Sequence, residues 1–167
     1  GEVEFDVYDD GFPTHYTMGI AAQMVEAGDA PRFTEGIFRH FHRREDFDTR
    51  LAVCHQAQAL LDSKAHRQLI LATQVVASYV QLASALWDIA HLHAHGELGK
   101  PKCQQQLAAT SSKLAKAGQT NTDAIVAWRR HLGDEPWAHR VHDAIGATQT
   151  TVARILSHIS DQHSDLI

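Results

Sequence analysis

The chain has 167 residues, 44% of them hydrophobic and 21% charged, and its 15 Lys and Arg stand against 20 Asp and Glu for a net charge of -5. That length fits one domain with a proper core, and ten Gly with four Pro exclude a collagenous or generally disordered chain. Two cysteines, Cys54 and Cys103, cannot staple a fold of this size, and the acidic balance argues against nonspecific nucleic-acid binding.

The first residue is Gly1 rather than Met, so a processed chain or a fragment of a longer one is expected, with no signal segment left to read and the compartment open. Glu2-Val3-Glu4-Phe5-Asp6-Val7 alternates acidic and apolar residues with period two, and Asp10-Gly11-Phe12-Pro13 is a turn signal. Residues 1–13 therefore read as an extended acidic arm. Its first ten residues carry five acids and no base, which is the whole net charge of the chain. Such an arm suits a basic surface, on this chain or on a neighbour, or stands solvated as a tail.

From Thr14 to residue 167 the pattern is that of a single helical-bundle domain. Thr14 is placed to cap a first helix that Gly28 ends. Asp29 and Pro31 predict a second, with Phe33, Ile37, Phe38 and Phe41 on one face and Arg32, Arg39, His42 and Arg43 on the other. A basic face of that kind can lie on an anionic surface, or simply be the solvated side of a helix docked by its aromatics.

The strongest pattern begins at Phe47. Steps of four and three lead through Leu51, Cys54, Gln58, Leu61, Ala65, Gln68, Ala72, Val75, Tyr79, Leu82, Leu86 and Ile89 to His93, a heptad seam interrupted only by the two glutamines and the histidine. Asp62-Ser63 is a break signal, yet the seam keeps its phase through it, so one long helix is expected over about 45–95. Between Leu69 and Leu92 a second apolar face (Ile70, Val76, Ala83, Ala90) predicts contact from more than one side. Thr73, Gln74, Ser78, Gln81, Ser84 and Asp88 in the same stretch argue against a transmembrane span. Pro101 opens a helix over 101–132. Gly133-Asp134-Glu135-Pro136 then stops it and starts another over 135–162. The fold class expected is all-α, an antiparallel bundle with three long helices, shorter N-terminal helices and the acidic arm.

Thirteen histidines call for an explanation. Asp88, His91 and His95 lie at i, i+3 and i+7, on one helical face, and a turn near residue 97 brings Cys103 back to about their level. The same end would gather His93, His158, His163 and Asp161. Asp88, His91, His95 and Cys103 are donors that suit zinc or another transition metal, and they form the candidate metal set; a solvated histidine-rich helix end is the alternative. Glu135, His139 and His142, with His131, form a second and weaker cluster without sulfur. Protonation of all the histidines would turn the net charge strongly positive, so this end is expected to loosen on acidification.

The remaining candidates concern binding. Gln74, Gln81, Asp88 and His95 recur every seven residues along the most apolar helix, and such a row can line a ligand cavity. With Trp87, the pair Gln74 and Gln81 forms the candidate ligand-binding set, and Trp128 and Trp137 could anchor a pocket or an interface. No H-E-x-x-H, phosphate loop, G-x-S-x-G, paired Glu-x-x-His or Cys-x-x-Cys-His is found, which argues against an enzyme built on those frameworks. The expected function is a noncatalytic interaction or assembly module that meets a protein partner or its own copies through the seam. The alternatives are a small-molecule sensor or carrier bundle with a ligand cavity, or a His/Cys metal-binding bundle.

Overall fold

The structure, a computed structural model, describes residues 12–96, 100–133 and 138–163. Most of the expected acidic arm therefore lies outside the described residues, as do Trp137 and the side chains of His139, His142 and His163. The described residues form five α-helices and no strand: α1 (His15–Ala27), α2 (Glu45–Leu60), α3 (Arg67–His95), α4 (Pro101–Leu132) and α5 (Ala138–His163).

Thr14 caps α1. Its hydroxyl accepts from the Thr17 N–H at 3.1 Å, while the Thr14 N–H donates to the Thr17 hydroxyl at 2.9 Å, so two amides without helical partners are satisfied reciprocally. Gly28 ends the helix in the left-handed conformation at φ 68°.

The helix expected from Asp29 does not form. Thr34 and Gly36 stand at φ 66° and 53°, two left-handed residues that interrupt any α-helix, and only a 3-10 turn at Gly36–Phe38 survives. Ile37, Phe38 and Phe41 are nonetheless buried, so the segment packs as an irregular aromatic plug and presents no basic helical face.

The long helix expected over 45–95 is two helices. Asp62 Oδ1 accepts from the Lys64 and Ala65 N–H groups at 2.9 and 2.8 Å, and the Asp62 N–H donates to His66 Nδ1 at 3.0 Å. This side-chain-closed turn satisfies the amides that a continuous helix would have used. The heptad seam accordingly folds back on itself. Phe47 and Cys54 are buried on α2, as are Val75, Tyr79, Leu82, Leu86, Ile89 and His93 on α3, while Ala65 and Gln68 are exposed at the turn.

α3 packs against α2, α4 and α1; α4 also packs against α5, and α5 against α1. Contact from several sides agrees with the two apolar faces of α3. This is the one described helix long and apolar enough to cross a membrane, but 67% of its most apolar stretch is buried inside the protein, as in a core helix. Where α3, α4 and α5 meet, the fully buried Asn121 donates to the Ser78 hydroxyl at 3.1 Å and accepts from the Thr148 hydroxyl at 3.4 Å. Phe12, at the end of the expected arm, is buried edge-on to Trp128 at 5.5 Å.

Candidate ligand-binding cleft

Three helices leave a gap on one side of α3. On α2, Phe47 and Leu51 follow Arg44, the residue preceding the helix, at i+3 and i+7, so one stripe carries a cation and then two apolar side chains inward. On α3, Val80, Gln81 and Ser84 occupy adjacent turns. On α4, Lys113, Lys116, Ala117 and Thr120 share a face by the same i, i+3, i+4, i+7 rule. Together they line an open-sided cleft of about 340 Å³, with Asp48 at its edge. Phe47, Val80 and Ala117 make its floor and are buried. Gln81, Ser84 and Thr120 supply polar wall, and the cations stand at the rim.

The rim charges are unevenly matched. Asp88 Oδ1 accepts from Arg44 Nε at 3.0 Å, and its Oδ2 accepts from Arg44 Nη2 at 3.4 Å and from Lys113 Nζ at 2.6 Å. Arg44 Nη1 is 3.7 Å from the exposed Asp48, and its guanidinium lies over the Phe47 ring at 5.3 Å. Among the described residues Lys116 has no carboxylate partner. The cleft thus joins an apolar floor to a partly uncompensated positive rim.

The candidate ligand-binding residues separate. Gln81 lines the cleft, whereas Gln74 is exposed one heptad earlier. Trp87 belongs instead to an aromatic cluster: its ring stacks on Phe33 at 3.7 Å and meets Phe38 edge-on at 5.3 Å. It reaches the cleft only through Phe47, whose ring is 6.3 Å away.

Nor do the candidate metal residues gather. His91 and His95 are exposed neighbours with rings 4.7 Å apart, but both oxygens of Asp88 are engaged by Arg44 and Lys113. Cys103 is buried at the start of α4 against Gly96. Among the described residues no group of three or more His, Cys, Asp or Glu side chains is placed to hold a metal ion. His93 points inward, with Nε2 2.8 Å from Gln162 Oε1 and its ring 5.8 Å from that of His158. The histidine-rich end does bring α3 and α5 together, through a side-chain hydrogen bond.

Among the cleft's polar residues, the sequence pattern did not single out Arg44, Asp48, Lys113, Lys116 and Thr120, and Ser84 stood out only as a polar break in the apolar helix. The signal available was the i, i+3, i+7 run Lys113, Lys116, Thr120, which reads equally as the solvated face of a helix. Comparisons with protein families, with curated protein sequences and with solved structures give no match to this chain.

Proposed function

We propose that this chain is a noncatalytic binding domain, a sensor or carrier whose small-molecule ligand lies in the cleft between α2, α3 and α4. The observation that carries the reading is the cleft itself: about 340 Å³ is within the range of small-ligand sites, and an apolar floor with a few polar groups is their usual lining. Most apolar residues of the seam that pointed toward assembly are buried or partly buried within the chain, Ala65 at the turn being exposed, which weakens the case for a partner along it. The architecture we propose is an antiparallel bundle built on the three long helices α3, α4 and α5, with 14–167 as one domain onto which Phe12, at the end of the expected arm, packs. Ser78 with Asn121, and Asp88 with Lys113, support this, because the residue numbers rise along one helix as they fall along the other.

Saturation-transfer NMR with a mixture of small alkyl and aromatic compounds tests the reading. Transfer to compounds with an apolar segment is expected in the native chain and is expected to vanish in Gln81→Trp and in Thr120→Trp, which fill the cleft from its wall without entering the core. No transfer, or transfer that both variants retain, overturns it.

The second reading, a module that docks a protein partner or another copy, is favoured by one feature. Leu60 and Leu69 are 85% and 55% exposed on either side of the polar turn between α2 and α3, two large apolar side chains that neither helix covers. Light scattering of the native chain and of the double variant Leu60→Lys, Leu69→Lys tests it: a dimer or larger species that the variant dissociates supports it, and a monomer in both removes self-association.

A further inference from the structure

The charges around the cleft specify the ligand, given the ligand-binding reading above. Arg44, Lys113 and Lys116 face two carboxylates, Asp48 and Asp88, which leaves one positive charge in excess. Asp88 already shows how this rim receives a carboxylate, one oxygen on the Arg44 guanidinium and the other on the Lys113 ammonium. Lys116, one turn further along α4, offers the same chemistry with no acid to meet it among the described residues. Behind it lie Phe47, Leu51 and Val80, which can receive an alkyl or aryl body but no second charge.

We infer that the cleft binds a monoanionic amphiphile, a carboxylate on a single alkyl or aryl body, with its head between Lys113 and Lys116 and its body along Phe47 and Leu51. A cationic head would meet the rim as a like charge. A dianion would set its second charge against Asp48 and Asp88. A neutral head would forgo the charge-assisted bond to Lys116. Asp88 then acts as an internal competitor, because it shares Lys113 with the incoming carboxylate.

Calorimetric titration at pH 7.5 and low salt with octanoate, octan-1-ol and octylamine tests this. The native chain is expected to bind one octanoate at least about tenfold more tightly than either of the other two. Lys116→Gln, on an exposed position that leaves the core untouched, is expected to abolish that preference, and Lys116→Arg to retain it. Asp88→Asn is expected to tighten octanoate several-fold by removing the competitor. Octanol binding as tightly as octanoate, or a Lys116→Gln variant that keeps the preference, overturns the inferred ligand class; if Gln81→Trp still abolishes that binding, the cleft reading stands without it. Failure of all three octyl compounds to bind, or binding that survives both Gln81→Trp and Thr120→Trp, overturns the cleft reading and this inference together.

Discussion

Asn121 has no exposed surface, and its amide is held by Ser78 on one side and Thr148 on the other, so it fixes the register of three helices at a single point. Replacing it with Ala leaves a cavity and takes the acceptor from the Thr148 hydroxyl. Asn121→Ala is expected to lower stability by about 2–3 kcal/mol in urea titrations, with the slope unchanged. Gly36 is constrained in a different way. Its φ of 53° is one that L side chains rarely adopt, and a Cβ there would stand 2.8 Å from the carbonyl oxygen of Thr17. Gly36→Ala is therefore expected to lose at least about 1 kcal/mol in thermal melts, through strain rather than lost contacts. Neither effect was visible in the sequence. Asn121 is one polar position inside the long helix expected over 101–132, with no local signal of its buried partners, and Gly36 lies inside a periodic pattern that reads as helix.

Among the helices, legibility followed the strength of local punctuation. Pro101 and Gly133 bracket α4, and the expected bounds 101–132 are those observed. α1 also begins and ends at its capping residues, and Thr14→Ala is expected to lower stability by about 1 kcal/mol and to speed amide exchange at Thr17. The span 45–95 misled because heptad phase describes which residues face inward, not whether the chain continues straight. The local hydrogen bonds of Asp62 decided that, and they turned one seam into two facing halves. The cleft's polar wall was legible at Gln81 and Ser84, which broke an apolar helix, and its floor at Phe47 and Leu51 of the seam. Its cations could not be found the same way, because Arg44 and Lys113 are far apart in sequence and each looks solvated on its own helix. Only the packing of α2 and α4 on the same side of α3 sets them around one carboxylate.

Across the whole molecule, three carboxylates tie acid sensitivity to the native fold. The Arg154 side chain hydrogen-bonded to Glu26, the His42 backbone N–H on Asp46, and the Ala65 and Lys64 N–H groups on Asp62 each hold the acid below its ordinary value. A depressed native pKa contributes stability above the unfolded value, and that contribution disappears as pH falls through the native one. Melting temperatures are thus expected to hold steady in this respect above about pH 5 and to fall from there toward pH 3, with a smaller fall in Asp46→Asn and Glu26→Gln. An equal fall in both variants and the native chain would assign the acid transition to other groups. The Glu26–Arg154 pair has a further consequence in the order of folding. It joins α1 to α5 across 128 residues of chain, whereas the helix pairs α2–α3, α3–α4 and α4–α5 are neighbours in sequence and α1–α3 closes a much shorter stretch of chain. Contacts between neighbours form over short loops, while closing the ends of the chain must wait until the intervening helices have shortened the distance. In stopped-flow chevrons Arg154→Ala is accordingly expected to speed unfolding and leave the refolding rate nearly unchanged, the signature of a clasp fastened after the rate-limiting step.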